Sequence, residues 1–104
     1  MANRINYNTA VSQADSIKDL SDDLGREITQ LENLLARIKN EWKGPASEEF
    51  QKRLRSMIAD MKTTKSDMSS VSSSIKTVAR RIKREDDEAN AQAASLGGGG
   101  GGSR

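Results

Sequence analysis

No cysteine and no histidine occur anywhere in the chain. That excludes disulfides, thiolate nucleophiles, zinc sites of the usual kinds and any histidine general base. Aromatic residues are almost absent, at one Trp, one Tyr and one Phe. A compact globule of this size normally needs a thicker apolar core than so few large side chains can build. There is a single proline, so long stretches can run as uninterrupted helix. No excess of one charge sign exists either: 17 basic residues stand against 15 acidic ones, intermixed along most of the chain. Such a surface is solvated and carries no nucleic-acid footprint. No run of about 18 apolar residues is found, so stable membrane insertion is not expected. The start, Met-Ala-Asn-Arg-Ile-Asn-Tyr-Asn, leads into no apolar stretch, so no ordinary signal peptide is expected.

What is present is periodicity. From Ala10 to Trp42 the apolar positions run Ala10, Ala14, Ile17, Leu20, Leu24, Ile28, Leu31, Leu35, Ile38 and Trp42. From Leu31 onward the steps alternate four and three, with extra steps of four upstream. This is the spacing of a helix packed along its length against another. Gly25 is its weak position, costing roughly 1 kcal/mol relative to alanine. The pattern breaks at Trp42-Lys43-Gly44-Pro45. Glycine frees the backbone for a turn, and proline suits the first position of a new helix but cannot continue an old one.

A second series then begins: Ala46, Phe50, Leu54, Met57, Met61, Thr64, Met68, Val71, Ile75, Val78 and Ile82. The serines at 66, 69, 70, 72, 73 and 74 fall off this seam. Ile5, Val11, Leu34, Ile58 and Ala79 lie beside the two seams and widen the apolar stripe. The sequence therefore predicts an all-α chain. An antiparallel two-helix hairpin fills residues 1–96, with helix 1 at about 8–42, a turn at 43–45 and helix 2 at about 46–95. Residues 97–104, six glycines and Ser-Arg, read as a flexible tail. A hairpin covers only one side of each stripe, so pairing into a four-helix bundle is expected, with itself or with a related helical chain. The seam candidates are Leu24, Leu31, Leu35, Ile38, Phe50, Leu54, Met57, Met61 and Met68.

Trp42-Lys43-Gly44, central in a chain of about this length and flanked by two heptad-patterned helices, resembles the WXG family, the early-secretory-antigen-like proteins of type VII secretion. The resemblance covers residues 1 to about 96, with the motif positions at Trp42 and Gly44. It implies a helical hairpin that dimerises and is recognised by a membrane-bound secretion ATPase. It also implies manufacture in the bacterial cytoplasm and secretion without a cleaved signal peptide. A toxin with a helical N-terminal domain is a further partner it allows. The export signal of the family follows the second helix and reads Tyr-x-x-x-Asp/Glu. Here Ile82 stands where the tyrosine would be, Asp86 holds the acid, and Ala89 can take the hydrophobic place of a longer variant. Tyr7, the lone tyrosine, is at the other end of the sequence.

Bland readings stand beside these. Trp42 can simply cap the end of a bundle, and Met57, Met61 and Met68 are packing residues before they are anything else. The basic cluster Lys76, Arg80, Arg81, Lys83 and Arg84 is followed at once by Glu85, Asp86, Asp87 and Glu88. This reads as a solvated helix with local ion pairs such as Arg84 with Glu88. No pair of carboxylates has a catalytic setting, so no catalytic residue, metal site or cofactor is expected and the chain does not read as an enzyme. Two rival functions remain: a cytosolic coiled-coil adaptor without a secretion role, and a DNA binder using residues 76–84, which the near-zero net charge disfavours.

Overall fold

Helix α1 spans Tyr7–Glu41 and α2 spans Pro45–Ser103 in the computed structural model, which describes residues 6–103, with side-chain surroundings for 6–95. The two helices pack antiparallel, and the molecule is a rod of 88 × 19 × 15 Å. A thickness of 15 Å leaves room for one layer of helices. Of the apolar residues named above, Ile5 lies outside the described part.

Local chemistry sets the helix ends. Asn6 is the N-cap of α1, extended at φ −81° and ψ 155°, and its side chain accepts a hydrogen bond from the Thr9 amide at 2.8 Å. At the other end the Trp42 amide still donates to the Ile38 carbonyl at 2.9 Å, while its own dihedrals have turned extended. Gly44 follows with φ +117°, a conformation side-chain-bearing residues avoid. Pro45 opens α2, and the Glu48 amide donates to the Gly44 carbonyl at 3.1 Å. Nothing lies within 4 Å of where a Cβ at Gly44 would stand, so a substitution there meets backbone strain alone. Gly44→Val should lower stability by about 1–2 kcal/mol. Thermal melting followed by circular dichroism checks this, and an unchanged midpoint would mean the turn can relax to negative φ.

The apolar core sits in the half nearer the turn. Ile28, Leu54 and Ile58 are buried together, with Leu24, Leu31, Leu35, Ile38 and Met61 packed against them. Toward the open end the helices meet through small residues instead: Ala14, Ser21, Ser72 and Ala79 are buried. Ser21 Oγ donates to the Lys65 carbonyl and pairs with Ser69 Oγ, each at 3.0 Å. Ser72 Oγ donates to the Ala14 carbonyl at 2.7 Å. Hydroxyls satisfied by the facing backbone let the two helices approach closely without an orphaned polar group.

The contact line differs from the apolar series. On α1 it runs through Ser21, while Leu20 is 56% exposed. On α2 it runs through Ser47, Gln51, Leu54, Ile58, Ser72 and Ala79. Phe50, Met57, Val71, Val78 and Ile82 are exposed beside it. Ile58 and Ala79 are thus central, not flanking, and Ser72 belongs to the seam. An apolar count cannot see a serine seam, because the small side chain is selected there for its size. The helix boundaries also differ at the far end. The backbone is helical through Ser103, where the glycine run reads as tail. Each of those glycines costs about 1 kcal/mol relative to alanine, so this end has the least intrinsic helical support.

Candidate functional site

The two long faces of the hairpin differ in kind. One is closed by ion pairs across the helices, Glu32 with Lys62 at 2.8 Å and Asp15 with Lys76. On the same side Lys65 lies over Gly25, close enough that a Cβ there would stand 2.6 Å from its Cε. Asp22 also lies there, its carboxyl held below the usual range chiefly by the hydrogen bond from Lys18. The opposite side carries Ile17, Leu24 and Leu31 of α1, with Leu20 and Leu34 beyond them. From α2 it carries Phe50, Met57, Thr64, Val71 and Val78, which recur every seventh residue and so share one stripe. Leu20, Leu34, Phe50, Met57, Val71, Val78 and Ile82 are all exposed there. An apolar strip of that length left exposed on one face of the rod marks an interaction surface.

The ends of this face are shaped differently. At the turn, Trp42 and Phe50 pack at 5.8 Å between ring centroids with planes tilted 46°, and both residues stay a little under half exposed. Ser47 Oγ donates to the Trp42 carbonyl at 2.6 Å and accepts from Gln51 Nε2 at 3.0 Å, which fixes the start of α2 against the last residue before the turn. Trp42 therefore caps the hairpin and presents its ring to solvent at once, so the structural and the recognition readings of this residue are compatible.

At the open end a groove of about 620 Å³ lies between the helices. Tyr7, Ala10, Ile75, Val78, Ala79 and Ile82 give it apolar walls, and Lys83, Asp86, Asp87, Asn6 and Asn90 form its polar edge. Lys83 Nζ reaches Asp87 at 2.9 Å and sits 5.9 Å from the centre of the Tyr7 ring. The hydrogen bond to Asp87 holds the Lys83 ammonium above the ordinary lysine range. In the acidic stretch Lys83 pairs with Asp87, one residue earlier than the Arg84–Glu88 pair expected from sequence.

The candidate residues thus fall into three places. Trp42 and Gly44 form the turn. Ile82 and Asp86 sit one helical turn apart at the groove, and Ala89 is exposed just beyond. Leu24, Leu31, Leu35, Ile38, Leu54 and Met61 belong to the core, Met68 is half-buried, and Phe50 and Met57 face outward. Tyr7 lies far from Ile82 and Asp86 in the sequence. The antiparallel fold brings it to the same groove as Ile82 and Asp86, a proximity that follows only once the turn position fixes which residues are level. Among the described residues no group of three or more acidic, histidine or cysteine side chains is placed to hold a metal ion. No helix among them is long and apolar enough to cross a membrane.

A family model described as proteins of 100 residues with WXG matches residues 4–87, most of the chain. The chain belongs to the WXG100 family. Members of that family are small helical proteins associated with type VII secretion, and they generally form dimers. No curated protein and no solved structure matches this chain.

Proposed function

We propose that this WXG100 chain is itself exported by type VII secretion, as a substrate or as the dimerising partner of an effector, and that the end of α2 carries the recognition element. The observation that carries the reading is the family match centred on an exposed Trp42–Gly44 turn in a two-helix hairpin. The recognition element consists of Ile82 and Asp86, on one face of α2 beside the groove, with Ala89 following. A membrane-bound secretion ATPase is the reader. A related helical chain, a second copy or a toxin with a helical N-terminal domain is the dimer partner, docked on the apolar face through Phe50, Met57 and their neighbours.

The test uses Asp86→Ala and a chain ending after Arg80. Among the described residues the last buried one before that cut is Ala79, so both variants keep the seam intact and fold, as circular dichroism will check. Secretion is measured as the ratio of supernatant to cell-pellet protein in the native host. Wild type should be exported, and both variants should fall several-fold. Wild-type export of the shortened chain would place the signal elsewhere. Retention of wild type in the cell, with every neighbouring secretion gene intact, would support the cytosolic adaptor instead.

A further inference from the structure

We infer that the polar face of the rod, opposite the apolar strip, is a docking surface for an anionic lipid bilayer, on which the chain lies flat without inserting. Such adsorption needs neither export nor a dimer partner.

Along the sequence acidic and basic residues intermix, but around the rod they are sorted. All eight lysines of the chain fall on the polar face. On α2, Arg55, Lys62, Lys76 and Lys83 stand at intervals of seven or fourteen residues, so they share one stripe. Lys62 and Lys76 reach across to Glu32 and Asp15 of α1, which fixes that stripe on the polar side. Lys65 covers Gly25 beside it. Lys52 and Arg80 each precede a member of the stripe by three residues and lie one step farther round the same side. On α1, Lys18 and Lys39 are in seven-residue register with Gly25 and Glu32, and Lys43 Nζ donates to the Lys39 carbonyl at 2.8 Å.

The charges of this face do not cancel. Asp15, Asp22, Glu32 and Asp87 are each held by one lysine. Among the described residues, Lys39, Lys43, Lys52, Lys65, Arg55 and Arg80 have no acidic side chain within ion-pair distance. Against that excess stand Glu48 near the turn and Asp86 at the open end. From Lys52 to Lys83 the row extends for roughly 45 Å along one straight helix.

A straight row on a flat face fits a plane of charge better than a duplex, whose phosphates follow a helical path. The choice of cation agrees. Lysine is a flexible point charge, suited to a diffuse layer of headgroups, whereas the planar fork of arginine suits paired contacts with single phosphates. Most arginines are turned elsewhere: Arg37, Arg53 and Arg81 each lie three residues past an exposed apolar residue, Leu34, Phe50 and Val78, on the far side of the rod. Acids interleaved among the lysines would repel a closely fitted polyanion. A charged plane felt across a Debye length responds to the excess instead. Lying on this face, the rod would keep its apolar strip turned away from the bilayer and open to a protein partner.

The probe is large unilamellar vesicles of phosphatidylglycerol and phosphatidylcholine in equal parts, with pure phosphatidylcholine as the neutral control. The full chain should co-sediment with the anionic vesicles at about 50 mM salt and stay in solution with the neutral ones, and about 0.5 M salt should release it by screening. Lys52→Gln with Arg80→Gln removes two charges from the polar face. Arg53→Gln with Arg81→Gln reaches the same net charge from the other side. All four residues are exposed, so circular dichroism should show both variants folded. The first pair should weaken binding about ten-fold or more, and the second less than about two-fold. Equal losses in the two variants would overturn the face. Wild type left in solution with anionic vesicles at low salt would overturn the adsorption, as would binding that survives the high salt or extends to pure phosphatidylcholine. Tighter binding to duplex DNA than to the vesicles at the same salt would overturn the bilayer as occupant.

Discussion

Ile28→Asp should leave a chain that no longer holds its hairpin. Ile28 is 4% exposed and forms the buried core with Leu54 and Ile58, against which five further side chains pack. Two effects add. Removing the branched side chain from a packed site costs about 2–5 kcal/mol. A carboxylate placed there lacks a buried partner and is strongly penalised until it neutralises or reaches water. A domain of ordinary stability has only about 5–15 kcal/mol in total, and among the described residues no second apolar layer is available to take the load. With the pairing gone, neither helix has much to hold it, since most helical stability in proteins comes from packing of the apolar face. Far-UV circular dichroism should therefore show loss of helix and of the cooperative melt. Leu20→Asp is the internal control: Leu20 is 56% exposed, and its variant should keep the helical hairpin of wild type. Wild-type melting of Ile28→Asp would mean that the helices are held by something other than this seam.

The architecture was legible because its signals are repeated. Two long periodic series separated by Trp42-Lys43-Gly44-Pro45 leave little choice but a helical hairpin, and Gly44 does take the positive φ its place in the sequence suggests. The rotation of each helix was less legible. Apolarity marks the average direction of everything a helix can bury, which here lies between the facing helix and the open face. A series of the most apolar residues therefore takes in Leu20, Phe50, Met57 and Val71 beside Ala14, Ile28 and Leu54, of which only the last three are buried. The contact line itself, displaced by one residue, passes through Ser21, Gln51, Ile58 and Ser72. Serine at such places gives no hydropathy signal, since what the position requires is small volume plus a hydroxyl that can reach the opposing carbonyl. The site shows the same division. Trp42 and Gly44 could be read as a motif, whereas the nearness of Tyr7 to Ile82 and Asp86 depends on the helices being aligned by the turn, and no local spacing encodes it.

Ser72→Leu separates these two placements of the seam. If α2 faced α1 through Val71, position 72 would point away and leucine, a better helix former than serine, would be neutral or mildly stabilising. In the structure Ser72 is 3% exposed and its Oγ donates to the Ala14 carbonyl at 2.7 Å, with Ala14 itself wholly buried. Leucine there removes the hydrogen bond and forces a branched side chain into a contact sized for a hydroxymethyl group. Overpacking of this kind costs about 1–3 kcal/mol, and the lost hydrogen bond contributes about 1 kcal/mol more. The strain falls on the open half, where the buried contacts are small residues, so α1 should detach from its N-terminal end while Ile28, Leu54 and Ile58 stay packed. Hydrogen exchange should accordingly speed up across residues 7–21 and change little near residue 28. Ser72→Ala, which loses only the bond, should show a smaller loss of stability, and Ser73→Leu, at an exposed neighbour, should show none. A Ser72→Leu chain as stable as wild type, with unaltered exchange in α1, would return the seam to Val71 and with it bury the stripe on which the proposed dimer depends.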